Sequence, residues 1–191
     1  MIKSNMEKNW CYTIKEEGHP HNGETLWSGR YCAIAAFIFK TEGIENTYVL
    51  ANKRGKGTPD FQGLWNCPCG FLEANESAEE GCTRETKEET GVIIPSKEFI
   101  FYEVETDPVT SNNGHVTLQY VASIDKTNSI YNIKDLQGGE PNEVDEIKWI
   151  NIHDLDKYQW AFNHKEIIKN ILFNFFHYDV NKRNYIPFAF L

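Results

Sequence analysis

The sequence predicts an α/β fold in which helices sandwich a mixed central sheet. Three features lead there. Tyr31 to Phe39, YCAIAAFIF, is apolar without interruption, as in a strand buried on both faces. Residues 70–92 contain a helix with clear start and stop signals. Residues 162–175 repeat apolar side chains at helical spacing, with Ile167, Ile168, Ile171, Leu172 and Phe175 forming one face.

The elements follow in order. Residues 1–30 are polar and mixed, punctuated by Gly18, Pro20, Gly23 and Gly29. They are expected to be an N-terminal extension that forms an edge strand or part of a substrate pocket. His19 and His21 read as solvated loop histidines, because no second cluster of metal ligands lies nearby. The first long strand turns at Gly43 into a second, TYVLAN, over 47–52. Residues 53–63 form a loop rich in Gly, Lys, Pro and Asp. A short strand over 64–71 contains Pro68 and Gly70. Strands are expected at 99–106 and 115–123. The second alternates Val116, Leu118, Tyr120 and Ala122 with Thr117, Gln119, Val121 and Ser123. A polar loop over 125–145, with Gly138, Gly139 and Pro141, leads to a last strand at 144–150. A turn or short helix begins at Asp154. The domain is expected to span 31–180, with a tail at 181–191.

Composition narrows the function. Apolar residues make up 40% and charged residues 25% of the 191, an ordinary globular balance. A net charge of -9 argues against a nucleic-acid binder, which needs a basic footprint. It leaves room for a phosphate-bearing small molecule, because a bound cation reverses the local field. The five cysteines contain no CxxC pair, and Cys67-Pro68-Cys69 is too tight for a zinc knuckle. They read as reduced thiols packed as small hydrophobes. The first twelve residues lack the apolar core of a signal peptide, and Ala33–Phe39 is too short to cross a membrane. The expectation is a soluble cytoplasmic protein with no membrane or nucleic-acid partner.

The informative stretch is GFLEANESAEEGCTRETKEETGV, residues 70–92. Ser77 and Glu80 make a capping box, so the helix starts near Ala78. Gly91 ends it. Glu85, Glu88 and Glu89 fall within an arc of roughly 100° on that helix. Like charges so spaced repel by a few tenths of a kcal/mol per pair. Lys87 points the other way, whereas Arg84 is adjacent and can hold a carboxylate. Three glutamates alone are better explained as a solvated acidic face. The sharper alternative is a site for a hard divalent cation, which wants oxygen ligands.

The stretch resembles the Nudix box, and that resemblance favours the second account. The pattern is Gly, five residues, Glu, seven residues, Arg-Glu, an apolar residue, any residue, Glu-Glu, any residue, Gly and an apolar residue. Gly70, Glu76, Arg84, Glu85, Glu88, Glu89 and Gly91 supply all seven fixed identities, and Val92 the final apolar one. Thr86 is the departure, standing where the family carries an aliphatic residue; its methyl fills part of that space. A chance match at a given start is on the order of one in 10⁸. The resemblance covers residues 31–176 and implies a Nudix-type α/β/α sandwich.

It also implies roles. Glu85, Glu88 and Glu89 would bind Mg²⁺ or Mn²⁺, joined by the Gly70 carbonyl. Arg84 would orient a carboxylate, and Glu76 would brace the loop and helix through an ion pair, with Arg84 a candidate partner. Among Glu140, Glu143, Asp145 and Glu146, Glu143 is the candidate for a further catalytic acid, six residues before Trp149. Arg54 and Lys56 sit where the family often places basic phosphate contacts. Trp27, Tyr31 and Phe61 are aromatics able to stack on a base, although core packing accounts for such residues more often. The implied enzyme is a Mg²⁺-dependent pyrophosphohydrolase of a nucleoside diphosphate linked to a second group. Pro108, sixteen residues after Val92, favours an ADP-ribose-like substrate. A (deoxy)nucleoside triphosphate comes second, then a non-catalytic nucleotide sensor or an RNA-end pyrophosphohydrolase. Many members of the family are dimers, so a homodimer is the assembly the resemblance offers.

Overall fold

The computed structural model describes residues 30–41, 46–107, 115–125 and 142–179, with short pieces at 6–8, 11–13, 17–18, 23, 25–27 and 184–185. His19, His21, Gly43, Pro108, Gly138, Gly139, Glu140, Pro141 and the side chain of Trp27 lie outside the described residues.

The chain divides into two compact units, residues 1–31 and 32–191. In the first, β1 (Met6–Lys8), β2 (Cys11–Thr13) and β3 (Thr25–Trp27) pair antiparallel in the order β1-β2-β3. They form a sheet of their own rather than an edge strand of the larger one.

The second unit is built on a seven-stranded mixed sheet. Its strands are β4 (Cys32–Thr41), β5 (Thr47–Arg54), β6 (Trp65–Asn66), β7 (Cys69–Phe71), β8 (Ile100–Glu105), β9 (Val116–Asp125) and β10 (Val144–Asn151). The main path is β10-β5-β4-β9-β8, with β6 beside β5 and β7 beside β4. The β4–β9 pair is parallel and the rest are antiparallel. Ile34 through Phe39 are at most 1% exposed, as the unbroken apolar run requires. Helix α1 (Ala78–Thr90) covers one face: its Cys82 packs with Ile34, Ile38 and Leu50. Helix α2 (His164–Asn174) covers the other, where Ile168, Ile171 and Leu172 pack with Phe37, Phe39 and Val49. The alternation in β9 therefore does not mark a solvent face. Tyr120 and Ala122 join the α1 layer and Val121 the α2 layer. A short hairpin, β11 (Tyr178–Asp179) with β12 (Asn184–Tyr185), reaches into the expected tail.

Two departures from the sequence expectation shape the site. The strand expected over 64–71 is broken at Pro68, which has no N–H to offer a ladder. Its carbonyl accepts the Ala36 N–H instead (2.8 Å). The strands β4 and β5 pair only from Phe39 to Thr41 and then splay, and β6 and β7 fill the gap. The terminal helix starts at His164 rather than Phe162, because Phe162 and Asn163 take left-handed backbones (φ 54° and 59°). Among the described residues no helix is long and apolar enough to cross a membrane.

Candidate active site

Helix α1 begins as its capping box dictates. Ser77 Oγ accepts the Glu80 N–H, and Glu80 reaches back to the Ser77 N–H. Gly91, at φ 73°, ends the helix and returns its N–H to the Lys87 carbonyl. On this rod Arg84 is the hub. It makes a two-pronged ion pair with Glu76 (2.7 and 2.9 Å), donates to Glu85 (2.7 Å) and Glu88 (3.0 Å), and donates to the Phe71 carbonyl (3.0 Å). Glu76 also accepts the Glu73 N–H, so that with Arg84 it ties the loop before the helix to the second turn of α1. The Arg84 hydrogen bond holds the Glu76 carboxyl below its ordinary range. Thr86 is fully buried and its Oγ1 finds no partner, so the departure from an aliphatic residue leaves an unmet hydroxyl in the core.

Glu89 sits differently. It is enclosed by protein except toward the cavity it lines, and one oxygen accepts the Cys69 N–H (3.2 Å). Enclosure and then the nearby Glu85 push its carboxyl well above the usual range, against the pull of the Cys69 N–H and Arg54; Glu143 adds to the rise. Burial likewise raises the Glu85 carboxyl, with Arg84 opposing. Glu85, Glu88, Glu89 and Glu143, with Val144, line one cleft of about 250 Å³.

Two glycines clasp Glu143 in place. The Gly55 N–H donates to the Glu143 carbonyl (2.7 Å) and the Gly57 N–H to the Asn142 carbonyl (2.6 Å). A Cβ on Gly55 would lie 2.3 Å from the Asn142 carbonyl oxygen, and one on Gly57 2.9 Å from the same atom. Gly55→Ala should therefore push the 142–143 turn away from the cleft. The expected result is a fall in kcat of about tenfold or more with KM little changed. Steady-state kinetics beside a melting curve checks this; unchanged kcat would detach Glu143 from the chemistry.

The acid cleft opens into a larger cavity of about 720 Å³ between the splayed strands and α2, with Glu85, Glu89 and Glu143 shared by both and Gly70 on the wall of the larger one. Arg54 lines this cavity, but its guanidinium is already engaged. It binds the Asp60 carboxylate (2.6 Å) and carbonyl (3.0 Å) and lies 4.7 Å over the Phe162 ring. Lys56 is exposed and is not part of the cavity wall. Tyr31 is exposed, and Phe61 packs edge-on against Phe162 outside the cavity wall (4.8 Å).

His164 lines the cavity and no sequence motif pointed to it. The left-handed pair Phe162-Asn163 turns it inward, and Trp65 latches that turn by accepting the Ala161 N–H (2.8 Å). Its Nδ1 accepts the Cys67 N–H (3.0 Å), and Phe37 meets its ring edge-on (5.2 Å). Burial and then Arg54 lower its pKa to about 3. The unfolded chain thus takes up a proton near pH 6.5 that the folded chain refuses until about pH 3. Stability should fall as pH drops through that window, by about 2 kcal/mol at pH 5 from this group. Denaturant melts of wild type and His164→Asn at pH 7.5 and 5 check this; the variant should lose less between the two.

The donors at the α1 end suit a hard divalent cation: they are carboxylate and carbonyl oxygens only. A Cβ at Gly70 would lie 2.0 Å from Glu85 Oε1, so this backbone and carboxylate share a space only glycine leaves open. Among the described residues no three His, Cys, Asp or Glu side chains yet converge on one ion position. The reason is visible: Glu85 and Glu88 are turned to Arg84, and Glu89 to Cys69.

Residues 30–171 match the family profile described as the NUDIX domain. The chain belongs to the NUDIX domain family. As a member of that family it is similar to the ADP-ribose pyrophosphatase of Methanocaldococcus jannaschii, 36% identical over 125 residues, or 65% of each chain. It is also similar to the putative nudix hydrolase 1 of Caenorhabditis elegans, 34% identical over 71 residues, 37% of this chain and 19% of that one. The chain thus spans just under two thirds of the first of these curated relatives and about a fifth of the second. Among solved structures its fold is like the NUDIX domain of Shewanella oneidensis NrtR complexed with ADP ribose. That match has a TM-score of 0.61 and 24% identity, covering 74% of this chain and 85% of that one. A MutT/nudix family protein from Enterococcus faecalis matches with a TM-score of 0.62 and 24% identity, covering 81% and 66%.

Proposed function

We propose that this NUDIX chain is a divalent-cation-dependent hydrolase that cleaves the diphosphate of a nucleoside diphosphate-linked compound, with ADP-ribose the favoured substrate. The observation that carries the reading is the four-carboxylate cleft opening onto a cavity large enough for a nucleotide. The relative named an ADP-ribose pyrophosphatase supports the choice of substrate.

Glu85, Glu88, Glu89 and the Gly70 carbonyl would hold Mg²⁺ or Mn²⁺. Such an ion, when bound, neutralises the diphosphate and lowers the pKa of a water. Arg84 keeps Glu85 and Glu88 aimed from one side, a supporting task that orients ligands without touching substrate. Glu143 faces the same cleft from the turn before β10 and would take the proton of the attacking water. Arg54 serves this account as a wall held by Asp60; Lys56, exposed at the loop tip, remains a candidate contact for a phosphate. Residues 31–180 form the catalytic domain. The free Cys32, Cys67, Cys69 and Cys82 support a reducing, cytoplasmic setting.

The test is hydrolysis of ADP-ribose with Mg²⁺, followed by product identification. Water adds across the P–O–P bridge, so AMP and ribose 5-phosphate should appear in equal amounts. Release of inorganic pyrophosphate from nucleoside triphosphates at a higher kcat/KM would move the assignment to that class. Tight binding of ADP-ribose with no turnover would replace the enzyme by a sensor.

A further inference from the structure

We infer that His164 and Gln119 recognise the hydroxyls of an uncharged sugar ring and so set specificity at the inner wall of the large cavity. This rests on the hydrolase reading above.

Both side chains line the cavity, and both are almost fully enclosed, at 3% and 4% exposure. His164 spends Nδ1 on the Cys67 N–H, so the ring is neutral with its proton on Nε2. Nε2 has no partner within the chain among the described residues, which leaves one N–H donor for a ligand. Gln119 carries an amide oxygen that is buried and unpartnered. Gln119 pairs with Ala35 across β4–β9, and Phe37, which meets His164, lies two residues further along the same face of β4. Ala35 and Cys69, small residues paired across β4 and β7, lie in one row with Gln119, and Phe37, which meets His164, stands about 7 Å further along β4.

Such a wall selects by chemistry. It offers no free positive charge, because Arg54 is bound to Asp60, so it is no seat for a phosphate. Phe162, the ring tilted against His164, already carries Arg54, and the exposed aromatic side chain of the cavity wall, Phe71, stands on β7 beside Gly70. A hydroxyl answers both groups, since it accepts from the imidazole N–H and either donates to or accepts from the amide, whichever way the amide is turned. In an ADP-ribose-like substrate the sugar is either the adenosine ribose or the terminal ribose.

The experiment is a cycle of substrates and variants. His164→Asn keeps an oxygen where Nδ1 stands, to receive the Cys67 N–H, and removes the Nε2 donor. Gln119→Met keeps the length and removes the amide, and serves if the histidine variant does not fold. ADP-ribose is compared with two analogues, one lacking the 2- and 3-hydroxyls of the adenosine ribose and one lacking those of the terminal ribose. Affinity is read by calorimetric titration with Ca²⁺ in place of Mg²⁺, and turnover separately with Mg²⁺. The expected result is a loss of roughly tenfold in affinity for one analogue in the wild type. The variants should lose about as much for ADP-ribose and nothing further for that analogue, which also names the ring. Losses that simply multiply for both analogues would overturn the inference while leaving the hydrolase reading intact. Coupled affinities without turnover would uphold the inference and overturn the hydrolase reading. Failure of wild type to bind or cleave ADP-ribose would overturn both.

Discussion

Glu89→Gln is expected to lower kcat by about a thousandfold while leaving a protein that folds at least as well as the wild type. The two halves have one cause. The Glu89 carboxylate is enclosed and faces Glu85 and Glu143, so its ionised form opposes folding when no cation is bound. A glutamine amide oxygen still accepts the Cys69 N–H and carries no charge. In EDTA the variant should melt no lower than the wild type. With Mg²⁺ the wild type should rise in melting temperature and the variant should rise less, because a ligand of the native state stabilises it in step with how tightly it binds. A variant that keeps wild-type turnover would remove Glu89 from the site. One that melts well below the wild type in EDTA would remove the argument from charge.

Arg84→Ala is the second large expectation, and it runs the other way in stability. One guanidinium pairs with Glu76, Glu85 and Glu88 and also donates to the Phe71 carbonyl. Removing it leaves Glu76 and Glu85, each nearly buried, without their partner. The cost to folding should be about 2 kcal/mol, less than for a fully buried pair because Arg84 keeps some exposure to water. Activity should fall roughly 10- to 100-fold through loss of ligand orientation. Arg84→Lys should recover little of either, since an ammonium cannot reproduce the two-pronged contact with Glu76. Chemical denaturation and kcat/KM at saturating Mg²⁺ measure the two effects. Full rescue by lysine would mean that charge alone matters here.

Much of this was legible in the sequence, for identifiable reasons. Capping, the arc of Glu85, Glu88 and Glu89, and the apolar run of β4 are local patterns, and α1 and β4 follow them closely. Glu143 was reachable by its distance from Trp149, and the structure brings it to the cleft with the α1 acids. What sequence did not reveal depends on tertiary contact. Arg54 looks like a free phosphate ligand until Asp60 and Phe162 are seen to hold it. His164 looks like an ordinary residue at the start of a helix until the left-handed pair before it turns the ring into the cavity. The breaking of one expected strand at Pro68 puts β6 beside β5 and β7 beside β4, and no spacing rule announces where the two halves of a broken strand lead. Gly55 and Gly57 read as loop glycines; their close approach to Asn142 needs the fold.

The acidic face of α1, with the Gly70 carbonyl, is the divalent-cation site we propose. Mn²⁺ titration followed by electron paramagnetic resonance measures that directly, without reference to any substrate. The wild type should take up Mn²⁺ saturably, and Glu89→Gln and Glu85→Gln should each weaken that uptake by tenfold or more. Mg²⁺ should displace the Mn²⁺. Equal Mn²⁺ binding by the wild type and a folded Glu85→Gln/Glu89→Gln double variant would contradict the account.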